Sequence, residues 1–262
     1  MALPQKKVKA TRVNPKKLII FSQPKNGKTS CLAELEDNLI IDLERGTSFV
    51  DALKIDVITE AEEASKSSGT VVLPLDILKN TIKELNDVKT KIGKNPYQRI
   101  TIDTVSLLEE MVLPMANDLY RNSPVGANWM GNDVKKLPNG AGYAYLQQAL
   151  FFVINQFERV CDTLILAGHV RRKDIKMEDA DIDEKSLSLT GKTSLLVSAD
   201  ADAIAFLYRE DNKTILNFAP SNSALVGSRC PHLRDKQIVI AESDEQGVIT
   251  VDWSQVFLQK SK

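Results

Sequence analysis

Four short apolar runs set the rhythm of the chain: Leu18-Ile19-Ile20-Phe21, Leu39-Ile40-Ile41-Asp42-Leu43, Arg99-Ile100-Thr101-Ile102-Asp103 and Thr163-Leu164-Ile165-Leu166-Ala167. Continuous apolar runs, as opposed to alternating ones, predict strands buried on both faces, as in a parallel sheet. Helical patterns separate most of them. Residues 29–35 follow the first run, 77–92 carry Ile77, Leu78, Ile82, Leu85 and Val88 on one stripe, 105–119 follow the third run and 145–160 precede the fourth. Alternating strands and helices predict an α/β fold: a mostly parallel sheet with helices on both faces. Two weaker runs, 203–208 and 214–218, flank Glu210-Asp211-Asn212-Lys213 and predict a C-terminal hairpin. Residues 1–15 lack apolar periodicity and read as a flexible basic arm, 16–234 as the core and 235–262 as an appendage packed on it. Two stretches, 122–142 and 172–190, read as functional loops, the first rich in Gly, Asn and Pro, the second highly charged.

Composition narrows the function classes. The 262 residues, 43% of them hydrophobic, suffice for one substantial core. Lys+Arg 34 against Asp+Glu 35 leaves a net charge of -1, so any nucleic-acid partner must be gripped by a local patch. Cys31, Cys161 and Cys230 form no CxxC, and His169 and His232 lie in no metal-ligand spacing, which points to neither disulfides nor zinc. No run approaches the roughly 18 apolar residues of a membrane span, and the expectation is a cytoplasmic protein with no membrane partner.

Candidate chemistry begins after the first run. Ser22-Gln23-Pro24-Lys25-Asn26-Gly27-Lys28-Thr29-Ser30 matches the phosphate-loop pattern GxxxxGK[ST] except at its first glycine, here Ser22. Gly27 lets backbone N–H groups curl around phosphate, Lys28 reaches the β/γ oxygens of ATP, and Thr29 ligates Mg²⁺. The same string recurs at residues 186–194, with Gly191-Lys192-Thr193, but it follows an acidic stretch in place of a buried strand. Asp103 ends the third run and is the second Mg²⁺ candidate. Glu44, just past the second run, is the candidate to activate water, with Asp42 as understudy. His169 ends the fourth run as a candidate γ-phosphate sensor, and Arg171, Arg172 and Lys173 follow as candidate DNA contacts. Trp129, Lys135, Lys136, Tyr143 and Tyr145 interleave cations and aromatic rings, a weaker DNA signal.

Together these residues resemble the RecA-like P-loop NTPases, and more closely the small phage-encoded RecA-like proteins linked to single-strand annealing and recombination. The resemblance runs from Lys17 to Arg234 and rests on residues 22–30, 40–46, 100–104 and 164–169, with Asn139-Gly140-Ala141-Gly142-Tyr143 and Arg229 as weaker matches. It implies ATP and Mg²⁺ as ligands, Lys28 and Glu44 as catalytic residues, a mobile DNA-facing loop after His169, single-stranded DNA as partner and a head-to-tail homo-oligomer. A phage origin would put the protein in the host cytoplasm. Two other readings are a nucleotide switch or assembly protein without a DNA role, and a small-molecule kinase.

Overall fold

The computed structural model describes residues 6–176, 181–221 and 223–259, without the side chains of residues 173–183. The wholly buried strand β1 (Lys17–Ser22) leads into a short helix, α1 (Lys28–Ala33). Then come β2 (Asn38–Asp42), β3 (Lys54–Asp56), α2 (Val57–Ser68), α3 (Pro74–Ile92) and β4 (Tyr97–Asp103). Two helices follow, α4 (Val105–Met111) and α5 (Leu113–Arg121), before α6 (Gly142–Glu158), β5 (Cys161–Lys176), β6 (Asp181–Leu187) and α7 (Thr193–Asp200). The C-terminal part holds β7 (Ala203–Glu210), β8 (Lys213–Asn217), β9 (Gly227–Ser228), β10 (Gln237–Ser243) and β11 (Ile249–Val251).

The main sheet runs β11-β10-β8-β7-β1-β5-β4-β2-β3, with β6 paired to β5 and β9 to β7. The six strands from β7 to β3 are mutually parallel; β8, β10 and β11 extend the sheet antiparallel. Each parallel strand turns successive side chains to opposite faces, and both faces are covered. Ile19 and Phe21 of β1 join the larger core, to which α2 to α7 all contribute. Leu18 and Ile20 join a second core made with Cys31 and Leu32 of α1 and with Trp253, Val256 and Phe257 near the C-terminus.

This is the mostly parallel, helix-covered α/β sheet with a C-terminal hairpin that the pattern predicts. Several details differ. The expected helix 105–119 is two helices, because Pro114 lies in the first turn of α5 and cannot donate a backbone bond to the turn before it. The hairpin's first strand, β7, lies within the sheet as the parallel neighbour of β1, register Ile20↔Ala205. The mobile loop expected after His169 is regular structure: β5 continues to Lys176 and pairs antiparallel with β6 from Val170↔Leu187 to Lys176↔Asp181. Backbone pairing sustains this ribbon, and it leaves no apolar signature in the sequence. Much of the predicted loop at 172–190 is therefore β-ribbon.

Candidate active site

In a parallel sheet the carboxyl ends of the strands share one edge, and the register fixes their heights. Asp42 is level with Asp103, Asp103 with Ala167 and Ser22 with His169. Residues 22–30 cross this edge from β1 to α1. Lys25 (φ 66) and Gly27 (φ 81) take left-handed backbone conformations, readily available to glycine, and Cys31 N–H donates to Gly27 O at 2.9 Å. A cavity of about 360 Å³ opens above, lined by residues 22–30 except Asn26, together with Glu44 and His169.

Two side chains at the start of α1 converge on one carboxylate. The Lys28 ammonium donates to Asp103 Oδ1 in a buried ion pair, and Thr29 Oγ1 donates to Asp103 Oδ2 at 2.7 Å. A second cluster stands beside it. Glu44 Oε1 accepts from Thr104 Oγ1 at 2.7 Å and lies 2.8 Å from His169 Nε2, so residues just past β2 and β4 and one within β5 meet at one oxygen. Thr104, which sequence reasoning passed over, was findable as the hydroxyl next to Asp103.

Asp42 does not face the cavity. Its carboxylate accepts from the backbone N–H groups of Glu44 (2.9 Å), Gly46 (3.2 Å) and Thr47 (2.8 Å), and from Thr47 Oγ1 at 2.5 Å. Burial pushes the Asp42 carboxyl up, but the bonds from Thr47, Glu44 and Gly46 outweigh it and hold it below its ordinary 3.8. Asp42 thus shapes the turn that presents Glu44, and the understudy role does not fit its position.

The second GKT string lies elsewhere and is already occupied. Glu109 of α4 is buried and accepts from the Thr190 amide at 2.9 Å and the Thr190 hydroxyl at 2.8 Å, while Gln147 Nε2 donates to Thr193 Oγ1 at 3.2 Å. A carboxylate stands where a phosphate would need the N–H groups, and Lys192 is exposed.

Arg171 and Arg172 are exposed at the root of the β5–β6 ribbon, Arg171 donating to Leu189 O at 3.3 Å; the Lys173 side chain lies outside the described residues. The ribbon seats tightly on β5. A Cβ on Gly168 would fall 2.3 Å from Leu187 Cδ1, so a larger residue there requires the Leu187 side chain to shift. Of the aromatic residues around the other loop, Trp129 and Tyr145 both pack edge-on against Tyr120, each at 5.2 Å, and the Arg121 guanidinium covers Trp129. Among the described residues no helix is long and apolar enough to cross a membrane.

A family model described as an AAA domain matches residues 14–230. No curated protein matches the chain. Among solved structures the chain is similar to a KaiC-like protein from the hyperthermophilic archaeon Pyrococcus horikoshii, at 13% identity over 90% of this chain and 89% of the other, with a TM-score of 0.42. It is also similar to RadB recombinase, at 11% identity over 90% of this chain and 91% of the other, with a TM-score of 0.39. Likenesses this remote say nothing of what the chain binds.

Proposed function

Because the chain belongs to the AAA domain family, we propose that it binds ATP·Mg²⁺ on residues 22–30 and Asp103, hydrolyses it with Glu44, and does so in the service of single-stranded DNA. At the coarser level it is a nucleotide-binding P-loop ATPase. The observation that carries the finer reading is the convergence of Lys28 and Thr29 on Asp103 at the floor of a cavity open to solvent. The Thr29 hydroxyl and the Asp103 carboxylate are hard oxygen donors 2.7 Å apart at the sheet edge, which suits Mg²⁺. When bound, that ion neutralises charge on the phosphate oxygens.

The protein's own groups do the rest. Lys28 exchanges Asp103 for the β/γ oxygens, and the N–H groups around Gly27 hold the phosphates. Glu44 takes a proton from water as the water oxygen bonds to the γ-phosphorus and the bond to the bridging oxygen breaks, leaving ADP. Thr104 and His169 aim the carboxylate. His169 also connects the site to the ribbon, since Ser188 N donates to its carbonyl at 2.9 Å.

The DNA half of the proposal rests on Arg171 and Arg172, exposed within three residues of His169. Turnover measured with and without single-stranded DNA tests it, together with the salt dependence of DNA binding. Stimulation is expected, and replacing Arg171, Arg172 and Lys173 by alanine should flatten the salt slope by up to about 2 units. An unchanged slope sinks the DNA reading and leaves the ATPase standing. Turnover that needs an added small-molecule acceptor would make the protein a kinase instead.

A further inference from the structure

The helix at the phosphate loop is too short to hold its own direction. At six residues, α1 is far below the length at which a helix persists unaided. Two of its carbonyls accept from buried side chains outside the helix, one six residues further on and one 222 residues away. Leu32 O accepts from Asn38 Nδ2 and Cys31 O from Trp253 Nε1, both at 2.9 Å. Asn38 is 3% exposed and Trp253 7%.

Both donors lead to the strand that ends in Asp103. Asn38 Oδ1 accepts from Thr101 Oγ1 at 2.9 Å, and Thr101 is wholly buried. Trp253 packs on Phe257, ring centroids 5.9 Å apart, and the Phe257 ring lies under the Arg99 guanidinium at 4.5 Å. Arg99, Thr101 and Asp103 alternate along β4 and so share one face. That face meets α1 three times: at the front, where Asp103 takes Lys28 and Thr29; through Asn38; and through Phe257 and Trp253.

We propose that Asn38 and Trp253 are positioning residues of the nucleotide site. They fix the rear of α1 against β4 and thereby set the height at which Lys28 and Thr29 stand over Asp103. On this account the segment around Trp253, more than 220 residues from the phosphate loop, is part of the nucleotide-binding machinery. The inference rests on the reading of residues 22–30 as the phosphate loop.

The test compares Asn38→Leu, Thr101→Val and Trp253→Phe with a control, Thr163→Val. Thr163 is equally buried and its hydroxyl donates to Pro15 O at 2.7 Å, at the opposite end of the sheet. Thr101→Val and Trp253→Phe nearly preserve packing, so they remain informative if Asn38→Leu does not fold. Steady-state ATP turnover is measured well below each variant's Tm. A misplaced α1 weakens the phosphate grip equally in the ground and transition states. KM for ATP·Mg²⁺ should therefore rise about fivefold to twentyfold in the three variants, with kcat within about twofold. The control should lose Tm without moving KM. Unchanged KM in Thr101→Val and Trp253→Phe, with only Tm reduced, overturns the inference and makes both contacts merely structural. If the wild-type protein itself fails to bind ATP·Mg²⁺, the nucleotide reading falls and takes this inference with it.

Discussion

Asp103→Asn keeps the shape of the side chain at the end of β4 and removes its charge, which separates its work at rest from its work on a nucleotide. At rest it balances Lys28, and the two side chains are 4% and 7% exposed. Unit charges about 4 Å apart at an effective dielectric of about 20 attract by roughly 4 kcal/mol. Desolvation offsets part of this, and the cavity lets water reach the ammonium left behind, so the expected net loss is about 1.5–3 kcal/mol, as for hydrogen bonds to charged groups. At about 2–4 °C per kcal/mol for a domain of this size, Tm should fall by about 3–12 °C. ATP without metal then resupplies the missing anion. In the wild type Lys28 must first leave Asp103, whereas in the variant it has nothing to leave. Metal-free ATP should therefore stabilise the variant more than the wild type, and adding Mg²⁺ should help the wild type more than the variant. Thermal unfolding followed by far-ultraviolet circular dichroism, with ATP in chelator or in Mg²⁺, measures all four states. Equal stabilisation of wild type and variant by metal-free ATP would refute the partner exchange.

Glu44→Gln should retain ATP binding and lose turnover by about 10²–10⁴-fold; wild-type kcat in that variant removes Glu44 from catalysis. Lys28→Ala should abolish tight ATP·Mg²⁺ binding by calorimetry while Lys192→Ala leaves it intact, and the reverse result would transfer the phosphate loop to the second string. Asp42→Asn should cost about 1–3 kcal/mol at pH 7 by urea unfolding. Because the folded-state value of Asp42 lies below its ordinary 3.8, its contribution is complete above about pH 4 and is lost as pH falls through the folded value. The gap between wild type and variant should close only in that acid range; a gap that closes near neutrality contradicts the assignment.

The parallel core was legible because its strands are buried on both faces and so are nearly continuous in apolar residues, as at Leu18-Ile19-Ile20-Phe21. The elements that escaped lack that signature. Strand β3 has three residues, and α2 buries only Val57 and Ala61 on an otherwise polar surface. The site divides the same way. Residues 22–30 and Asp103 announce themselves by local spacing. Asn38 looks like any polar residue at the start of a strand, and only the fold brings Thr101, 63 residues away, to its amide. Glu109 gives no warning that it occupies the N–H of Thr190, 81 residues away. Contacts at such separations exist only once the sheet order is known.

The longest strand of the sheet, β5, keeps two different sets of partners along its length. From Cys161 to His169 β5 lies in parallel between β1 and β4. From Val170 to Lys176 it leaves that company and keeps only β6. At about 3.3 Å per residue the seven residues from 170 to 176 reach about 23 Å. His169 sits where the two partnerships meet, its ring beside Glu44 and its carbonyl accepting from Ser188 N, so a single strand supplies both a wall of the cavity and the base of the ribbon.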